Sequence, residues 1–160
     1  MKHIIRFAFT LFTCALAPLQ AQLPDQVEKM AAGIPLTTAL LDSVDAFVKT
    51  AGSDPAVRAE MDASGKDPTM TPDNFGEVIN SKYPKLAAAF KSAGLVPGDF
   101  MKANGALVGT AGAVELANAG MNTGTDKTVQ ANIAFFKANK DRCTATMTSF
   151  ENLDKGSTAK

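Results

Sequence analysis

The sequence predicts an all-α protein: one compact domain of five to seven mostly short, angled helices behind a cleavable leader. Apolar residues recur at spacings of three and four along the chain, and no segment alternates apolar and polar residues over a strand's length. Helix-start signals are dense, with Pro55, Pro84 and Pro97 each placed where a first helical position is wanted. No Asn-Gly or Asp-Gly pair joins two β-rich runs, so hairpins are not expected.

The N-terminus comes first in the chain and reads as an export signal. Lys2 and Arg6 supply a short basic region, residues 7–17 are largely apolar, and Leu19-Gln20-Ala21 puts a small residue ahead of Gln22. The apolar run is too short for a membrane span of about 20 residues. The expectation is a signal peptide over 1–21, a helical domain over 22–154 and a frayed tail over 155–160, with the mature chain periplasmic or secreted. Cleavage would remove the chain's one histidine, His3, and one of its two cysteines, Cys14. A competing reading makes Leu11-Phe12-Thr13-Cys14 a lipoprotein box with Cys14 lipidated. Thr13 stands where Gly, Ala or Ser is usual, which counts against it.

In the mature chain a short segment over 24–32 ends at the break Gly33-Ile34-Pro35. Leu36, Leu40, Leu41, Val44, Phe47, Val48 and Ala51 then trace an amphipathic helix closed by Gly52. Asp54-Pro55 starts the next helix, which runs to about Ala63 before Ser64-Gly65. Thr71-Pro72 repeats that cap-and-proline device ahead of Phe75, Val78 and Ile79. Tyr83-Pro84 opens a helix carrying Leu86, Ala87 and Phe90, and Gly94-Leu95 suits a left-handed C-terminal cap.

Val96-Pro97 begins a helix reaching about Gly120, and 121–126 is a polar loop. Val129, Ile133, Phe136, Lys140, Cys143, Met147 and Phe150 form a heptad-like seam on a last helix of about 25 residues. Asn139 is an internal cap candidate that would split this helix in two.

Two segments carry a resemblance. Tyr83-Pro84-Lys85-Leu86-Ala87-Ala88-Ala89-Phe90 with Ala93-Gly94-Leu95, and Asn132-Ile133-Ala134-Phe135-Phe136-Lys137-Ala138-Asn139-Lys140, resemble stretches of small secreted helical proteins of Gram-negative bacteria. The resemblance covers roughly 54–140. It implies export and a helical domain, and it carries no functional residues.

Composition excludes several chemistries from the mature chain. Without histidine there is no Ser-His-Asp or Cys-His arrangement and no His-ligated zinc, and one cysteine makes no thiolate metal site. No metal or cofactor is expected. Of 16 basic residues Lys2 and Arg6 are lost, leaving 14 against 16 acids and a net charge of −2. With no basic stripe to hold phosphates, nucleic-acid binding is not expected either. Cys143 then stands alone in an oxidising compartment, as a buried inert thiol, an intermolecular bridge or a reactive group.

Three apparent motifs fail on inspection. Gly-Thr-Asp-Lys-Thr at 124–128 lacks the Gly directly before Lys that a phosphate-binding loop needs, and a helix precedes it where a strand is required. Residues 62–73 place Lys66 and Asp67 at the fifth and sixth places of a calcium loop, where a ligand and a glycine belong. The paired acids Asp42 and Asp45, and Glu60 and Asp62, read as solvated helix faces, and Asp99 favours the dipole of its own helix.

The helix with Gly105, Gly109, Gly112, Ala106 and Ala113 is the least expected element, because each interior glycine costs about 1 kcal/mol against alanine. Its small residues suit either a groove that admits a ligand or partner, at Gly105, Gly109, Gly112 and Ala113, or close helix packing within the monomer. Met101 and Met147 are placed in the core, while Met70 and Met121 border loops and are expected exposed.

The leading functional expectation is a non-enzymatic exported domain binding a small apolar ligand or a protein. The alternative is self-assembly, as a homodimer through the 129–150 seam or Cys143. A third is a hydrolase working with carboxylates alone, which requires an acid pair in a cleft with a perturbed pKa.

Overall fold

The computed structural model describes residues 23–156, so the signal-peptide and lipoprotein expectations for the N-terminus, and residues 157–160 of the expected tail, lie outside the described residues. Eight α-helices run through them: α1 Leu23–Ala31, α2 Thr38–Ser53, α3 Pro55–Ser64, α4 Phe75–Lys82, α5 Pro84–Ser92, α6 Pro97–Asn118, α7 Lys127–Ala138 and α8 Lys140–Gly156. Among the described residues there is no strand, and no helix is long and apolar enough to cross a membrane. The count exceeds five to seven because the 24–32 segment is helical and the last helix is divided.

Local chemistry sets most boundaries. Thr37 accepts from the Leu40 N–H, Asp54 from those of Ala56 and Val57, and Asp126 from those of Thr128 and Val129, so three helices begin on side-chain caps. Pro55, Pro84 and Pro97 occupy first-turn positions. Gly94, at φ 67°, ends α5 in a Schellman arrangement: the Leu95 N–H donates to Phe90 O at 2.9 Å and the Gly94 N–H to Lys91 O at 3.1 Å. Gly120 repeats it after α6, with Met121 donating to Leu116 O at 2.9 Å.

Two boundaries differ from expectation. Thr71-Pro72 does not begin a helix, and α4 starts later, at Phe75. Thr71 and Asn74 hold a turn instead: the Thr71 N–H donates to Asn74 Oδ1 at 2.7 Å, and the Asn74 N–H returns to Thr71 Oγ1 at 3.3 Å. Asn139 does interrupt the last helix, at φ −127° and ψ 34°, with its side-chain amide donating to Phe135 O at 2.9 Å. Past it, α8 continues beyond Asp154 to Gly156.

The interior centres on phenylalanine. Phe47 of α2 and Phe90 of α5 stack with centroids 3.9 Å apart and planes within 5°. Phe100 of α6 meets both edge-on at 4.8 and 5.4 Å, and also reaches Phe150 of α8 at 4.9 Å. Phe75 of α4 approaches Phe90 edge-on at 6.4 Å. Five helices thus converge on one aromatic hub, where each fully buried ring contributes roughly 1.5–3 kcal/mol.

A second buried group joins Leu36, Leu41, Ala106, Leu107, Phe136 and Cys143, and a third joins Ala31, Ala113, Val129 and Ile133. Helix α6 runs through this interior in contact with α1, α4, α7 and α8.

Candidate functional site

The glycine-rich face of α6 is the first place to look for a binding surface, and α1 lies across it. Gly105, Gly109 and Gly112 stand at i, i+4 and i+7 on one face. A Cβ on Gly109 would sit 2.5 Å from the Ala31 nitrogen and 2.6 Å from the Met30 Cβ, so the α1 backbone rests directly on this residue. A Cβ on Gly112 would make ordinary contact with the Val27 methyls at 3.5 and 3.6 Å, and one on Gly105 would meet open space. Residue numbers rise along α1 as they fall along α6, so the two helices cross in opposite directions. Ala113 is 1% exposed beside Ala31, Val129 and Ile133. Gly109, Gly112 and Ala113 are therefore packing positions for a helix of the same chain, and Gly105 alone has free space above it.

A residue that sequence reasoning passed over secures this arrangement. Asn132 on α7 is 1% exposed, and its Nδ2 donates to Ala31 O at 2.7 Å and Ile34 O at 2.9 Å. Its Oδ1 accepts from the Leu36 N–H at 2.7 Å. One side chain thus satisfies three backbone groups where α1 turns into α2. The available signal was an asparagine on the apolar face defined by Val129, Ile133 and Phe136. On α6, Thr110 is fully buried and its hydroxyl has no hydrogen-bond partner.

The acids are occupied structurally. Asp67 accepts at one oxygen from the Thr69 N–H at 2.9 Å and hydroxyl at 2.6 Å, and at the other from Lys82 Nζ at 3.0 Å and the Tyr83 hydroxyl at 3.1 Å. These donors, Thr69 foremost, hold its pKa far below the usual carboxylate range. A carboxylate held ionised in this way is a poor general acid, and its lone pairs are already engaged. Tyr83 is shifted upward, by burial first and then by its bond to Asp67, so it is not an activated phenol. In the rejected calcium loop, the Lys82 ammonium is the cation that Asp67 meets.

Asp42 and Asp45 share Arg142 of α8, at 2.5 and 3.1 Å, and Asp45 also accepts from the Thr146 hydroxyl at 3.1 Å. The pair thus joins α2 to α8. Glu60 of α3 accepts from the Lys85 and Leu86 N–H groups at 2.8 and 2.9 Å, capping α5, whose N-cap Tyr83 makes no such bond. Asp99 lies 3.6 Å from Lys102 on the same helix.

Cys143 is free and fully buried, and burial raises its pKa, which keeps the thiol protonated. Bridging to a second copy would require α8 to open. Of the expected self-assembly seam, Val129, Ile133, Phe136 and Cys143 are buried within the monomer, Met147 and Phe150 are half-buried against its core, and Lys140 is exposed. Met70 is a correction, being 8% exposed in the aromatic core rather than at the surface, whereas Met121 is exposed as expected. In the loop before α7 the Asp126 carboxylate takes the first amide groups of that helix, which are the groups a phosphate would need.

No protein-family model matches the chain, and no curated protein or solved structure shows significant similarity to it.

Proposed function

We propose that the protein is exported and acts by binding a protein partner, without carrying out a reaction of its own. The carrying observation is that, among the described residues, the aromatic centre and the glycine face at Gly109 and Gly112 are occupied by the chain itself. The stacked Phe47 and Phe90, with Phe100 edge-on to both, fill the centre, and α1 fills the glycine face at Gly109 and Gly112. Recognition is then a matter for the helix exteriors, which suit a macromolecule. The basic-then-apolar N-terminus supports export, and the resemblance of 83–95 and 132–140 to small secreted helical proteins points the same way. The acids favour this over a hydrolase, since Asp67, Asp42, Asp45 and Glu60 each hold a neighbouring helix or loop in place.

The test is native mass spectrometry of the protein recovered from periplasmic extract without reductant, before and after crosslinking in intact cells. A mass matching the chain from Gln22, captured in a reproducible complex with a second protein, supports the proposal. A monomer with no partner under both conditions overturns it. A reproducible small-molecule adduct would transfer the reading to ligand carriage, and a homodimer would transfer it to self-assembly. Retention of the leader would overturn export.

A further inference from the structure

No further inference is drawn: the strongest candidate, the small-residue face of α6 with the buried, unpartnered Thr110 hydroxyl on the same helix, is covered at Gly109 and Gly112 by the chain's own α1, and nothing in the structure aims that hydroxyl into a ligand site or shows what would occupy the open space at Gly105.

Discussion

The side-chain oxygen of Asn132 accepts the Leu36 N–H at 2.7 Å across a sequence separation of 96 residues. The amide nitrogen of the same side chain holds the carbonyls of Ala31 and Ile34, so the turn between α1 and α2 is fastened to α7 by one residue. Removing a partner from a buried polar group costs its desolvation, about 1–3 kcal/mol per group and less than additive for neighbours. Asn132→Leu should therefore lower unfolding free energy by about 3 kcal/mol in urea titration. Asn132→Asp keeps the acceptor for Leu36 but turns a second oxygen toward two carbonyls. It should be more destabilising at pH 7 than at pH 4, where protonation restores a donor. Near wild-type stability of Asn132→Leu would show that the clip contributes little.

Gly105, Gly109 and Gly112 of α6 should respond with different signs to the same substitution. Alanine gains about 1 kcal/mol of helix propensity over glycine at each position. At Gly105 a methyl meets open space, so Gly105→Ala should raise stability by up to that amount. At Gly112 it meets the Val27 methyls at ordinary distance, and a small gain or no change is expected. At Gly109 it would lie 2.5 Å from the Ala31 nitrogen, so α1 must shift, and Gly109→Ala should cost about 1–3 kcal/mol net. Thermal unfolding of the three variants checks this ordering. Equal effects at Gly105 and Gly109 would mean that α1 does not rest on α6.

Asp67 makes a pH prediction whose sign follows from its bonds. Its folded pKa lies below the ordinary value of 3.8, so the folded state binds fewer protons than the unfolded state through the acid range. The stabilisation it provides is complete well above pH 4 and is lost as pH falls below that value. Asp67→Asn removes this titration while keeping a polar side chain against Lys82 and Tyr83. The variant should be less stable than wild type at pH 7, with the gap narrowing steadily toward pH 2. A gap independent of pH would rule out Asp67 as the source.

How much of this was legible depended on how far each interaction reaches along the chain. Caps at Asp54, the prolines at first helical positions and the Gly94-Leu95 ending were readable because their partners lie within a few residues. The start of α4 was misplaced because Thr71 and Asn74 bond reciprocally in a turn, a local alternative that the Thr-Pro pair does not reveal. Helical periodicity at 40–51 and 129–136 identified buried faces but not their neighbours. The occupant of the glycine face was therefore out of reach, since Gly109 meets Met30 and Ala31 only once α1 has folded back. The Asn132 clip was hidden for the same reason, as were the Glu60 cap on α5 and the Arg142 link to Asp42 and Asp45.

Cys143 supplies a prediction that separates a core thiol from an assembly device. It lies on the buried face of α8 among Leu36, Leu41, Ala106, Leu107 and Phe136, with no exposed surface. Burial raises its pKa, so the thiolate that attacks thiol reagents is scarce as well as shielded. Labelling with a chromogenic disulfide should therefore be slow in native buffer and complete within seconds in denaturant, and the native rate should follow opening of α8. Weakening the contacts of α8 to α2 with Arg142→Ala should speed labelling, because the salt bridges to Asp42 and Asp45 are lost. Purified without reductant, the protein should run as a monomer on a denaturing gel. Rapid native labelling, or a disulfide-linked dimer that disappears in Cys143→Ser, would instead place the thiol at the surface and favour self-assembly over partner binding.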